Sequence, residues 1–200
     1  MRSAIMLTKT AIEPVIPVQK LRPLEALACM IVERSARLSA GLRGPFRTQV
    51  AELTRWMHCY YSNLIEGQQT RVRDIEAALK KDFAAEPRQR DLQQLSLAHL
   101  AVQRWAAAQT ASPFASDFLG ELHRRFYAQL PAAMRVATTA KGEKTPLTGG
   151  DLRDRDVEVG THIGPPHELV PGFLGHFQWR YESADFSRIQ RIIAIGASHQ

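Results

Sequence analysis

Apolar positions recur at helical spacing along most of the chain. From Pro23 onward, Leu24, Leu27, Ala28 and Ile31 fall at the i, i+3, i+4, i+7 interval of a buried stripe, and Gly41 with Gly44-Pro45 closes the segment. A second helix follows with the longest clean pattern in the chain. Phe46, Val50, Leu53, Met57, Tyr60 and Leu64 repeat every three or four residues, and Gly67 stands where a helix end favours glycine. Thr70 is placed to cap a short helix carrying Val72, Ile75 and Leu79, and Glu86-Pro87 opens another with Leu92, Leu95, Val102 and Trp105. Ser112-Pro113 signals the next start, with Phe118, Leu119, Leu122, Phe126 and Leu130 on one side and Pro131 as the stop.

Periodicity then disappears over residues 131–150, where "KGEKTPLTGG" carries the turn formers and one long irregular region is expected. After Gly149-Gly150, "DLRDRDVEVGTH" alternates only in part and predicts a small hairpin that turns at Arg153–Asp156. Pro165-Pro166 precede a helix holding Val170, Phe173, Leu174, Phe177 and Tyr181. Ser187 caps a last helix with Ile189, Ile192 and Ile193 on one face, and no stop signal precedes Gln200. Residues 1–20, with Pro14 and Pro17, read as an extended arm. The fold class expected is therefore all-α with one small β-hairpin, ending within an element.

Composition changes this picture little. A chain that is 44% hydrophobic and 23% charged can build an ordinary globular core. A net charge of +6 admits acidic partners, but the runs "KLR", "ERSAR" and "RVRD" spread over several helix faces instead of one recognition stripe. They read as solvated surface, which counts against nucleic acid as a partner. No apolar run reaches membrane-spanning length, so no membrane is expected. Cys29 and Cys59, isolated in helical patterns, read as small buried hydrophobes of a reducing, cytoplasmic protein.

The chemistry-bearing residues are mostly dispersed. The seven histidines (His58, His99, His123, His162, His167, His176 and His199) show no zinc spacing, so no metal ligands are assigned. His123, between Leu122 and Phe126, reads as a hydrogen-bonded core or boundary histidine. "KGEKT" ends like a phosphate loop but lacks the upstream glycine and strand, and no G-x-S-x-G marks a serine nucleophile. "YYSNLIEGQQT" differs from these. Ser62 and Glu66 share one helix face at i, i+4, and a glutamate in the last turn faces the negative end of the helix dipole unless a cation lies nearby. The plain alternative is a surface glutamate before a terminal glycine.

"SNLIEG" (Ser62 to Gly67) resembles the inhibitory motif (S/T)-x-x-x-E-(G/N) of Fic proteins, in the class whose inhibitory helix precedes the catalytic core. "GGDLRDRDVEVGTHIGPP" is similar to the family's flap, "HELVPGFLGHFQWRY" to the helix after it, and "RIIAIGASHQ" to the start of the helix leading to the active site. The resemblance implies a Fic-type helical bundle. Its parts would be an N-terminal helical region over 21–110 with the inhibitory helix at about 46–66, and the first part of a Fic core over 111–200 with the flap at about 149–163.

The activity implied is AMPylation, the transfer of AMP from ATP to a hydroxyl of a target protein. ATP and Mg2+ are the cofactors expected of a complete family member. The signature H-x-F-x-(D/E)-G-N-G-R-x-x-R does not occur in these 200 residues. The chain is accordingly expected to be truncated and inactive as it stands, with no catalytic residue assigned and no nucleotide or metal bound. Glu66 would occupy the place of the ATP γ-phosphate against the signature's second arginine, with Ser62 holding the helix face and Gly67 ending it. Arg153, Asp154, Val157 and Val159 would take part in strand addition to a target segment, although Val157 and Val159 read equally well as small-core residues. The alternative functions are a non-catalytic regulatory module derived from a Fic protein and, more weakly, a helical nucleic-acid binder. Ile189, Ile192 and Ile193 leave an expected apolar patch open to self-association.

Overall fold

A computed structural model describes residues 17, 19–138, 142, 144–159, 162–182 and 186–197. Among them are seven α-helices, α1 (Leu21–Gly41), α2 (Gly44–Ile65), α3 (Val72–Leu79), α4 (Pro87–Ala107), α5 (Ser116–Ala128), α6 (Val170–Glu182) and α7 (Arg188–Ala197). Two antiparallel two-stranded sheets accompany them, β1 (Val136–Thr138) with β2 (Lys144–Pro146) and β3 (Glu158–Val159) with β4 (His162–Ile163). The mostly helical architecture is as expected, with two hairpins in place of one. The extended arm expected over 1–20 falls almost wholly outside the described residues, as does His199. No described helix is long and apolar enough to cross a membrane.

The chain forms two compact units. Of the described residues, one takes those within Arg43–Ala111 and Asp117–Asp151, and the other takes those up to Leu42, the Ser112–Ser116 turn and those from Leu152 on. In the first, α2, α3 and α4 pack together around Cys59, Ile75 and Leu100, flanked by Trp56, Tyr60 and Leu79. Ile75 and Leu100 are fully buried, and such side chains contribute about 1.5–3 kcal/mol each. Gln93, also buried, ties the α3–α4 connection: its Oε1 accepts Ala84 N–H (2.8 Å), and its Nε2 donates to the carbonyls of Asp74 and Asp82 (both 3.2 Å). Glu86 caps α4 by accepting the N–H groups of Arg88 and Gln89. In the second unit, α1 packs on α7, and Tyr181, Phe186 and Ala194 form a core with Phe114 and Phe177 against it. Ser187 caps α7 as predicted, its Oγ accepting Gln190 N–H (3.1 Å) while the Gln190 amide oxygen accepts Ser187 N–H (2.9 Å).

Several expectations are corrected. The stripe of Phe46, Leu53, Met57 and Leu64 on α2 is exposed, and the face one position round, with Glu52, Trp56, Cys59 and Asn63, meets α4. Apolar periodicity fixes the helix, but the face that meets α4 mixes Glu52 and Asn63 with Trp56 and Cys59, so apolar spacing alone does not mark it. On α1, Leu27, Ile31 and Cys29 are exposed, and Ala28 alone is buried. Thr70 does not cap α3; Asp74 Oδ2 accepts Arg71 N–H (3.1 Å) there, and Thr70 turns inward. α5 begins at Ser116, because Ser112-Pro113 is spent on a turn in which Ser112 Oγ accepts Phe114 N–H. The stretch expected as irregular contains the β1–β2 hairpin, with Val136 opposite Pro146. Ile189, Ile192 and Ile193 are half-buried, and Ile195 is the exposed isoleucine of α7.

Candidate functional site

The tip of α2 is a glycine-terminated turn with both of its closing hydrogen bonds made. Glu66 is the residue at the cap, Gly67 follows at φ 71°, and the chain reverses. Gln68 N–H donates to the Asn63 carbonyl (2.7 Å) and Gly67 N–H to the Leu64 carbonyl (3.0 Å), the paired pattern of a Schellman end. The positive φ is why glycine is needed, since a Cβ strains this conformation even with open space around it.

Behind the tip lies a polar knot. Asn63 is 4% exposed, Thr70 3% and Ser96 0%. The Asn63 amide has two N–H donors and uses both, one to Thr70 Oγ1 (3.3 Å) and one to Ser96 Oγ (3.1 Å). Ser96 passes its own proton to the Leu92 carbonyl (2.8 Å), which leaves its oxygen free to accept. Cys59 Sγ sits against the Ser96 carbonyl (3.7 Å), and burial pushes its thiol up from the ordinary value, the reverse of an activated nucleophile. The knot joins the end of α2, the segment after Gly67 and the middle of α4. Asn63 stood between Ser62 and Leu64 in the motif, and its signal was its place at i+4 from Cys59 on the Trp56 face.

The knot and the Schellman turn leave Glu66 facing outward. It is exposed, and among the described residues it has no ion-pair partner. Ser62 is half-buried, and its carbonyl accepts Glu66 N–H (3.2 Å). Ser62 and Glu66 are thus brought together through the backbone. Farther along the same face, Glu52 receives Arg104 of α4 (Nη2 2.7 Å, Nε 3.0 Å) and also Arg55, and these cations hold its carboxyl below the usual range.

The hairpin expected as a flap is held by its own charged residues. Arg153 donates to the Arg155 carbonyl (2.9 Å) and to the Pro165 carbonyl, so its guanidinium clips the two legs together. Asp154 is exposed and pairs with Arg155 (3.0 Å). Val157 is 40% exposed, and its carbonyl accepts Gly164 N–H (3.0 Å). Val159 pairs with His162 in the ladder, but its side chain lies outside the described residues. The pairing of Asp156 with His167 was missed in the sequence. Asp156 Oδ1 accepts both the backbone N–H (2.8 Å) and Nδ1 (3.0 Å) of His167, at the 3₁₀ turn that leads into α6.

Those His167 hydrogen bonds lower the Asp156 carboxyl from its ordinary 3.8. A carboxylate with a depressed native value contributes stability above the ordinary value and loses it as pH falls through the lower one. The protection of the His167 amide against hydrogen exchange is therefore expected to stay constant from neutral pH down to about 4 and to fall only below 3.8. Asp156→Ala, which removes the acceptor, should lose most of it at every pH; full protection in that variant would mean that Asp156 does not hold the turn.

His123 is hydrogen-bonded, as expected, but exposed and not in the core: Nδ1 accepts Gly150 N–H (2.8 Å) and the ring packs on Tyr127. Lys144 and Thr145 of "KGEKT" lie in β2. Among the described residues no three His, Cys, Asp or Glu side chains group to hold a metal ion. No protein-family model, curated protein or solved structure matches the chain.

Proposed function

We propose that this chain carries the inhibitory helix and the target-docking hairpin of a Fic-type protein adenylyltransferase, an activity that moves AMP from ATP to a protein hydroxyl. One observation carries the reading. Glu66 stands exposed and without an ion pair among the described residues, on a helix end made rigid by the Schellman turn and the Asn63 knot. A carboxylate there works against the helix dipole by a few tenths to about 1 kcal/mol, so it does not serve stability. Presented to an arginine that otherwise binds the ATP γ-phosphate, it competes for that cation through a charge-assisted pair.

The signature that would hold ATP and magnesium does not occur in these 200 residues, so no step of transfer is assigned to this chain. Its part is to withhold the arginine and, through β3, to offer backbone to an extended target segment.

The test uses a polypeptide in which these 200 residues lead into the signature. Glu66→Gly should raise self-modification with labelled ATP while leaving the unfolding free energy within about 0.5 kcal/mol, because the side chain is exposed. An unchanged rate would remove Glu66 from regulation. The exposed outer face of α2 favours a second reading, a non-catalytic module that lends this helix to a separate enzyme. Calorimetry separates the two: the module binds such an enzyme in trans, whereas the first reading requires the helix in cis.

A further inference from the structure

Thr70 makes no helix cap, yet it is 3% exposed. The start of α3 is closed without it, by Asp74 Oδ2 accepting Arg71 N–H. Its hydroxyl instead accepts an N–H of the Asn63 amide, seven residues back along the chain. Asn63 therefore holds the reversal at two points, because its carbonyl also accepts Gln68 N–H (2.7 Å), and Thr70 N–H donates in turn to the Gln68 carbonyl (2.9 Å). The other Asn63 N–H fastens this closed loop to Ser96 of α4. Inside the loop stand Leu64, Ile65, Glu66 and Gly67, all exposed.

A tip whose side chains face solvent gains little order from its own packing, so the order has to come from the residues beneath it. The neighbouring core of Cys59, Ile75 and Leu100 is apolar, and burial alone would be served there by a valine, which has the shape of threonine and no hydroxyl to satisfy. What the hydroxyl–amide–hydroxyl chain adds is direction. A buried, satisfied polar network specifies one arrangement where apolar packing tolerates several.

We infer that Thr70 is a positioning residue for autoinhibition: through the Asn63 amide it holds the loop that carries Glu66 in one conformation, so that the carboxylate is in place before it meets the phosphate-binding arginine. The inference rests on the adenylyltransferase reading and adds to it a residue outside the motif. A tip ordered in advance loses little conformational freedom on docking, whereas a loose one loses more. Cutting the tie weakens the plug and leaves its carboxylate intact.

The test places Thr70→Val and Thr70→Ser in the polypeptide that leads into the signature, each alone and combined with Glu66→Gly, and reads self-modification with labelled ATP. Thr70→Val should raise the rate about threefold or more, and Thr70→Ser, which keeps the hydroxyl, should stay within about 1.5-fold of the parent. Thr70→Ala, smaller and equally without the hydroxyl, should act as Thr70→Val does. In the Glu66→Gly background none of the three should change the rate further, a result that a general loss of stability does not produce. In the 200-residue chain, the Gln68 amide should exchange faster in Thr70→Val and at the parent rate in Thr70→Ser.

If Glu66→Gly raises the rate and neither Thr70→Val nor Thr70→Ala does, the inference falls and the adenylyltransferase reading stands. The same holds if these variants act equally with and without Glu66, or if Gln68 exchange does not respond to them. If Glu66→Gly has no effect, both fall.

Discussion

Replacing Asn63 by alanine should lower the unfolding free energy by about 2–3 kcal/mol, the sum of unpaired buried acceptors and a small cavity. Its amide is the donor to Thr70 Oγ1 and to Ser96 Oγ, and both hydroxyls are closed off from solvent. Removing that donor leaves two acceptors that water cannot reach. Asn63→Leu restores volume but not the donors and should recover only part of the loss, and Asn63→Asp should be worse than either, because it buries an acceptor-only group that can ionise. Urea unfolding followed by the fluorescence of Trp56 and Trp105 reads these differences. The variant should also loosen the tip, since Thr70 is the far anchor of the turn after Gly67, and the Gln68 amide should exchange faster. A loss under about 0.5 kcal/mol would show that the knot is not a structural tie.

The elements of this fold are legible in the sequence where local chemistry sets them. Glu86-Pro87 and Ser187 mark helix starts because their side chains satisfy amide groups a few residues on, and Gly67 marks an end because the reversal needs a positive φ. What periodicity could not decide is which face of α2 meets the core. That choice belongs to α4, whose Ser96 and Arg104 match Asn63 and Glu52, and such partners lie more than thirty residues away in sequence. The β1–β2 hairpin was hidden for a related reason. Val136–Thr138 and Lys144–Pro146 are three residues each, too short to show alternation, and Pro146 argues against a strand except at an edge.

At the candidate site the division is similar. The motif gave Gly67 as the helix end and Glu66 as a plug for a cationic pocket, with an exposed glutamate as the plain alternative, whereas Asn63 passed as an ordinary polar residue because its burial depends on Thr70 and Ser96 arriving from other segments. Arg153 was read as part of a target-binding set. Its guanidinium is committed to the carbonyls of Arg155 and Pro165, which makes it a clip that shapes the hairpin, and backbone groups remain the means by which β3 can receive a strand.

Gly149→Ala should cost about 2–3 kcal/mol, while Gly120→Ala, on the helix facing it, should be neutral or stabilise by up to about 1 kcal/mol. A Cβ at Gly149 would lie 2.8 Å from Arg124 Cα, 3.0 Å from Tyr127 Cβ and 3.1 Å from the Arg124 carbonyl oxygen. These are backbone and root atoms of α5, and they cannot swing aside as a side-chain tip could. The turn must therefore move off the helix, and with it goes the Gly150 N–H bond to His123 Nδ1. At Gly120 the nearest atom to an added Cβ is the Gly150 carbonyl oxygen at 3.5 Å, an ordinary contact, and alanine is the better helix former. Thermal and urea unfolding of the two variants side by side should separate them by about 2–4 kcal/mol. In the Gly149 variant the His123 ring resonances should also move toward those of a solvent-bonded imidazole. Equal stabilities would mean that the Gly149-Gly150 turn does not rest on α5, and the close approach that demands glycine there would have to be abandoned.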